Sequence, residues 1–150
     1  EDDTKARAML KEAIDNGEGL RRIRRMIELQ GGDASVLTTE GMKKLAEVKC
    51  HVIVEADKDG YVTDMNAEGI GTAAQMLGAG RAKKEDAIDP AVCLIMKVRC
   101  GARVKKGEPL CEMYVNDERY LDDAIKLFRD SIHIRDVYEE PEPMVYGVVM

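Results

Sequence analysis

The chain has 150 residues, with 23 basic and 29 acidic side chains interspersed along it and a net charge of −6. That length suffices for one domain with a real core. The acidic balance argues against a nucleic-acid partner, which favours a basic face; no apolar run approaches the roughly 20 residues of a membrane span, and no signal-peptide pattern opens the chain.

There is no Trp and one Phe, so the core must rest on Val, Ile, Leu, Met and Ala. Cysteines stand at 50, 93, 100 and 111, and the histidines are His51 and His133. None of the cysteines forms a Cys-x-x-Cys pair, so the close-spaced ligands of a zinc site are missing and no metal is expected. Their number permits a disulfide framework, but nothing in the chain suggests secretion, and free thiols in a reducing cytoplasm are expected. The sequence opens on Glu1-Asp2-Asp3 without an initiator Met and reads as helix at once, which points to a piece of a longer protein.

In chain order, Ala6, Met9, Leu10, Ala13 and Ile14 recur at helical spacing, with Asp2 and Asp3 at the positive end of the dipole. Asn16-Gly17 stops this helix. Leu20, Ile23, Met26 and Ile27 then mark one face of a second helix. Its other face carries Arg21, Arg22, Arg24 and Arg25, which read as a solvated or ion-paired surface. Gly31-Gly32 ends that helix, and the polar stretch 33–44 is the candidate domain boundary.

The period then changes to two. Val48, Cys50, Val52 and Val54 mark a strand. Asp59-Gly60 predicts a tight turn, from which Tyr61-Val62-Thr63 returns as a second strand. Asn66 is placed to cap a helix bearing Ile70, Ala73, Ala74 and Leu77. Gly69 and Gly71 inside it each cost about 1 kcal/mol relative to Ala, which points to close backbone packing. Gly78 and Gly80 end that helix.

The apolar run "AVCLIMKV", 91–98, predicts a buried strand with Cys93 inside. "CGARVKKGEPL" predicts a turn, a strand and a turn, and "PLCEMYV" another strand. Asn116 is expected to cap an amphipathic helix with Leu121, Ala124, Ile125, Phe128 and Ile132 inward and His133 near its C-terminus. Pro141 and Pro143 break the chain, and "MVYGVV" predicts a last, edge-docked strand.

The stretch "MLGAGRAKKEDAIDP" invites a phosphate-binding reading, because Gly78 and Gly80 precede Arg81, Lys83 and Lys84. Phosphate-cradling loops leave a strand and enter a helix, so that helix N–H groups face the anion. Here the glycines leave a helix, whose carbonyl end repels anions. Glu85, Asp86 and Asp89 also offset the cations. No catalytic constellation emerges elsewhere: His51 and Cys50 alternate across a strand, and Ser35 and Ser131 have no nearby His.

Two segments, "VIVEADKDGYVTDM" and "KVRCGARVKKGEPLCEM", resemble the halves of a biotinyl/lipoyl-type barrel-sandwich domain. They are separated by a helix and a loop, 66–95, which looks like a hammerhead. A carrier role would fall on Lys58, but carrier lysines sit at a hairpin tip, whereas Lys58 leads into the Asp59-Gly60 turn. An independent binding module is the other alternative.

The combined pattern "DGYVTDMNAEGIGTAAQMLGAGRAKKEDAIDPAV", followed by "KKGEPL" and "ND", resembles the C-terminal domain of pyrimidine-nucleoside phosphorylases, a family that includes thymidine phosphorylase. "GLRRIRRMIELQGGDASVL" resembles the end of the preceding catalytic α/β domain, and "PEPMVYGVVM" the family's terminal strand. The chain departs at Cys93, often Gly in the family, at Met96, often His, and at Cys100-Gly101, usually Gly-Asp.

The resemblance implies an α+β fold, an α/β-hammerhead preceded by two helices. Residues 1–40 would be the helical tail of the upstream domain and 41–150 the hammerhead. It implies phosphorolysis, with phosphate as co-substrate, a pyrimidine nucleoside as substrate, an upstream catalytic domain as partner and a homodimeric full enzyme. The family's phosphate loop and base pocket lie upstream, so no catalytic residue and no cofactor is expected in this chain. The loop 78–86, with Gly78, Gly80, Arg81, Lys83 and Lys84, is expected to be a lid toward the substrate cleft.

Overall fold

A computed structural model of the protein describes residues 3–42, 45, 47–81, 83–143, 145–147 and 149. The fold is α+β. The chain divides into two compact units between Glu47 and Val48.

The first unit holds α1 (Asp3–Asp15), α2 (Glu18–Leu29), a 3-10 turn (Ala34–Leu37) and α3 (Thr39–Met42). Gly17 breaks α1 from α2 with a φ of +75°. Arg21 and Arg22 both pair with Glu18, and Arg25 lies 3.7 Å from Glu28. These are exposed pairs within one helix, screened by solvent and weak. The apolar residues read from the sequence are open to solvent on both helices, among them Met9, Leu10, Ile14, Leu20, Ile23 and Met26.

The second unit is a sandwich of two three-stranded antiparallel sheets. One sheet joins β1 (Cys50–Glu55), β5 (Pro109–Val115) and β3 (Cys93–Met96), in the order β1-β5-β3. The other joins β4 (Arg103–Val104), β2 (Gly60–Met65) and β6 (Ile132–Arg135), in the order β4-β2-β6. Alternation decides the core. Val54, Val62, Val104, Cys111, Met113 and Val115 point between the sheets and are buried. Phe128 is fully buried with them. No helix among the described residues is long and apolar enough to cross a membrane.

Five expectations need correction. First, β1 and β2 do not form a hairpin. β1 pairs with β5 and β2 with β4 and β6, so the chain changes sheets between Glu55 and Gly60. The Asp-Gly signal marks a turn but cannot say which strand will be the ladder partner.

Second, the run 91–98 is not buried throughout. β3 is an edge strand whose Cys93 and Ile95 are exposed, while Leu94 and Met96 pack inward. A continuous apolar run implies two covered faces, and among the described residues only one face of this sheet is covered.

Third, Asn116 caps no helix. Asp117 accepts from the Arg119 N–H at 3.1 Å and caps a 3-10 turn, Glu118–Tyr120, and α5 (Leu121–Asp130) follows. The Asn116 side chain is held elsewhere, by Lys49 and Asp89.

Fourth, Ile132 and His133 lie on β6, not on the helix. The Ser131 hydroxyl donates to the Leu127 carbonyl at 2.7 Å and closes the last turn of α5 one residue before Ile132.

Fifth, the strand expected over "MVYGVV" is not found in the described part. Val145, Tyr146, Gly147 and Val149 take no regular structure and are exposed; Met144, Val148 and Met150 lie outside the described residues. Pro141 stands against Gly101 rather than along a strand edge, and neither Pro141 nor Pro143 has an N–H to donate to a ladder.

α4 (Ala67–Ala74) starts where Asn66 was placed as cap: its Oδ1 accepts from the Gly69 N–H at 3.2 Å. α4 packs on α5 through Gly69. A Cβ there would lie 2.1 Å from the Ser131 oxygen, whereas one at Gly71 would meet nothing within 4 Å. The close-packing reading of the two glycines therefore holds for Gly69 and fails for Gly71.

Candidate functional site

After α4 the helix widens into a π turn, Gln75–Ala79. Gly78 sits there with φ +107°, a conformation that L side chains avoid. Gly80 is extended and ends the turn. The chain is thereby turned away from the helix axis, and the loop that follows borders a cleft of about 690 Å³.

Gly78, Gly80 and Lys83 line this cleft, with Asp86 and Asp89 on the same side and Asp117, Arg119 and Tyr120 opposite. Arg81 and Lys84 are exposed and lie outside the lining. The structure thus brings together three of the five loop residues singled out in the sequence.

Three anchors hold the loop. The Gln75 side-chain amide donates to the Arg81 carbonyl. Lys83 N–H donates to Asp86 Oδ2 at 2.8 Å, and Asp86 N–H returns a bond to the Lys83 carbonyl at 3.1 Å, a small closed turn. Asp89 N–H donates to the Gly78 carbonyl at 2.9 Å, which ties the far end of the loop to its start.

Asp89 itself is gripped from two sides. Asn116 Nδ2 donates to Oδ2 at 2.8 Å, and Ala91 N–H donates to Oδ1 at 2.9 Å. These two bonds, that of Asn116 first, hold its carboxyl below the usual carboxylate range. The opposite wall is also tied: Arg119 Nε reaches both oxygens of Asp117, at 3.0 and 2.8 Å, and its guanidinium lies 5.9 Å from the Tyr120 ring centre. Those bonds push the Asp117 carboxyl down and the Arg119 guanidinium up.

Lys83 is therefore the cleft-lining cation whose side chain makes no ion pair among the described residues, although its main-chain N–H is bound by Asp86. The sequence reading missed the Asp89–Asn116 clamp and the Arg119–Tyr120 wall. Asp-Pro followed by a main-chain donor was the readable sign of an Asx turn at 89–91. The pairing of Asp89 with Asn116, 27 positions apart, had no local sign.

The densest titratable cluster lies elsewhere, on the outer face of the β1-β5-β3 sheet. Glu112 accepts from Lys97 at 2.7 Å and from the Tyr114 hydroxyl at 2.9 Å, and His51 stacks on Tyr114 with ring centres 4.5 Å apart. The Lys97 bond, then that of Tyr114, lowers the Glu112 carboxyl; its charge in turn raises both partners. Lys58, the residue a carrier role would need, lies exposed in the bend that leads from one sheet to the other. Among the described residues no three His, Cys, Asp or Glu side chains are grouped to hold a metal. The four cysteines are free.

Comparison with known proteins bears on the same segment. A family model described as the pyrimidine nucleoside phosphorylase C-terminal domain matches residues 61–135, from β2 through the cleft loop to β6. The chain is 39% identical over 144 residues to the pyrimidine-nucleoside phosphorylase of Geobacillus stearothermophilus, covering 96% of this chain and 33% of that protein. It is 39% identical over 137 residues to the Bacillus subtilis protein of the same name, covering 91% and 31%. A Staphylococcus aureus pyrimidine-nucleoside phosphorylase is likewise 39% identical, over 136 residues. The chain thus spans about a third of the length of the curated relatives it matches. With the matched region holding the β4-β2-β6 sheet, β3, β5 and the clamped loop, the chain belongs to the pyrimidine nucleoside phosphorylase C-terminal domain family.

Proposed function

We propose that this chain is the C-terminal, cleft-closing part of a pyrimidine-nucleoside phosphorylase and is inactive alone. The observation that carries this is the likeness of 96% of the chain to one third of an enzyme of that name. The reaction joins a pyrimidine nucleoside and phosphate. A phosphate oxygen forms a bond to C1′ as the C1′–N bond breaks, the base leaves with the bonding pair and takes up a proton, and pentose-1-phosphate remains. Such chemistry rests on positioning two substrates and stabilising charge on the leaving base.

The second unit is read as a hammerhead, with α4 and the cleft loop inserted between the strands of a sandwich. The lid reading of 78–86 is supported by the cleft that Gly78, Gly80 and Lys83 line. Arg81 and Lys84 are exposed beside it and would reach across only on closure. The apolar side chains open on α1 and α2 support a partner in the upstream catalytic domain. Residues 1–40 are read as the tail of that domain and 41–150 as the hammerhead. The full enzyme is read as a cytoplasmic homodimer.

Base release from uridine or thymidine tests the reading. The chain alone should release none, and the same chain joined to a family upstream domain should release base only when phosphate is present. Turnover of about 1 per second by the chain alone, or phosphate-independent release by the joined protein, would overturn it.

A further inference from the structure

The second unit carries another groove, of about 430 Å³, on the free side of β6. All four β6 residues line it, with Leu110 and the bend at Asp57 and Lys58 facing them. Its floor is apolar, made by Leu110, Ile132 and Ile134, each nearly buried.

β6 is an edge strand. It pairs with β2 on one side, and no strand of the described residues pairs on the other. Within β6, the His133 carbonyl accepts from the Thr63 hydroxyl, and the Ser131 carbonyl just before it accepts from Asn66 N–H. Both face the β2 side. Because main-chain groups alternate between the two edges of an antiparallel strand, Ile132 and Ile134 direct theirs to the groove.

The rim is cationic although the chain as a whole carries −6. Lys58, Arg129 and Arg135 line it against Asp57. Lys58 has no ion pair among the described residues. Arg129 Nη1 donates to the Glu55 carbonyl, a neutral partner. Arg135 is paired with Glu139 at 2.7 Å. The rim charge therefore exceeds what its own neighbours neutralise.

An unpaired strand edge, an apolar floor and a cationic rim fit one kind of occupant. We propose that the free edge of β6 docks an extended acidic peptide, about four residues long, as an added strand. Its N–H and C=O groups pair with Ile132 and Ile134. Alternate apolar side chains rest on Leu110, and the acidic ones between them face Lys58 and Arg135. Main-chain bonds supply affinity in this mode and alternate side chains supply specificity. The inference does not depend on the phosphorolysis reading.

The probe is a fluorescein-labelled hexapeptide of alternating Glu and Val, titrated into the full chain by fluorescence polarisation. Saturable binding is expected. N-methylating two alternate Val residues should weaken it about tenfold, the worth of one to two lost hydrogen bonds. Lys58→Glu, a change at an exposed unpaired side chain, should weaken it comparably without altering the thermal melt, and Arg135→Glu should add to that loss. Three results overturn the proposal: no saturable binding, equal binding of the N-methylated peptide, or displacement by millimolar inorganic phosphate with the same Lys58 dependence. The second would mean attraction by charge alone, and the third a small-anion site.

Discussion

Asn116 donates its side-chain N–H to Asp89 across 2.8 Å while its own oxygen accepts from Lys49 N–H at 3.0 Å. One amide thus ties the end of the cleft loop to the stretch following β5 and to the chain entering β1. Through the Asp89 N–H the same unit holds the Gly78 carbonyl. The loop is fastened through its main chain, while Arg81, Lys83 and Lys84 stay exposed.

Asp89→Ala should destabilise the fold at pH 7, because Asn116 and Ala91 lose their acceptor. Since the folded carboxyl titrates below its unfolded value, this contribution is present above the unfolded carboxylate value of about 4 and lost as pH falls through the folded one. Urea melts of both proteins between pH 7 and pH 3 should converge toward the acid end. A constant gap would mean that the charge of Asp89 plays no part.

Replacing Arg81 and Lys83 together by Ala in a full-length enzyme carrying this chain should lower turnover with phosphate varied. Stability should stay within about 0.5 kcal/mol, the scale of surface changes. Neither cation is ion-paired among the described residues, so no structural bond is removed. Unchanged kinetics would leave the loop a connector.

Thiol labelling should follow exposure. Cys93, on the outer side of edge strand β3, should react first, and Cys50 and Cys100, half-buried, more slowly. Cys111 is buried, and desolvation pushes its thiol up to about 11, so at pH 8 it should react only after denaturation. Mass-resolved labelling with time decides the order; fast modification of Cys111 in the folded chain would contradict the packing of β5.

Gly69→Ala and Gly71→Ala should differ in sign. The added methyl at 69 meets the Ser131 oxygen, itself held by Leu127, and should destabilise by about 1–3 kcal/mol. At 71 the space is open, and Ala should stabilise by about 0.5–1 kcal/mol through helix propensity. Paired thermal melts test both, and equal effects would refute the α4–α5 contact.

Glu112→Gln should remove acid-sensitive stability from the outer sheet face. The Glu112 carboxyl is lowered in the fold, so its contribution exists above the unfolded carboxylate range and fades as pH drops. Lys97 is raised, so its share is complete below the unfolded lysine value and fades as pH rises through the folded one. A stability profile from pH 3 to pH 11 should be flatter at both ends in the variant.

Much of this protein is legible locally. Gly17, the Asn66 cap and the alternation of Val52 and Val54 each express a short-range rule: a left-handed break, an orphan N–H satisfied, a period of two. The family pattern is also local, running through consecutive residues of the matched segment. What the sequence could not decide was which surfaces meet. Ladder partners are chosen by how both sheets close over one core, so the Asp59-Gly60 turn passes between sheets instead of making a hairpin. Cys93 is exposed because β3 is an edge with one covered face. Asn116 left its capping role because Asp89 and Lys49, distant in sequence, arrive beside it. In each case the local preference was weak, about 1 kcal/mol or less, and the burial and hydrogen bonding available only in the closed sandwich outweighed it.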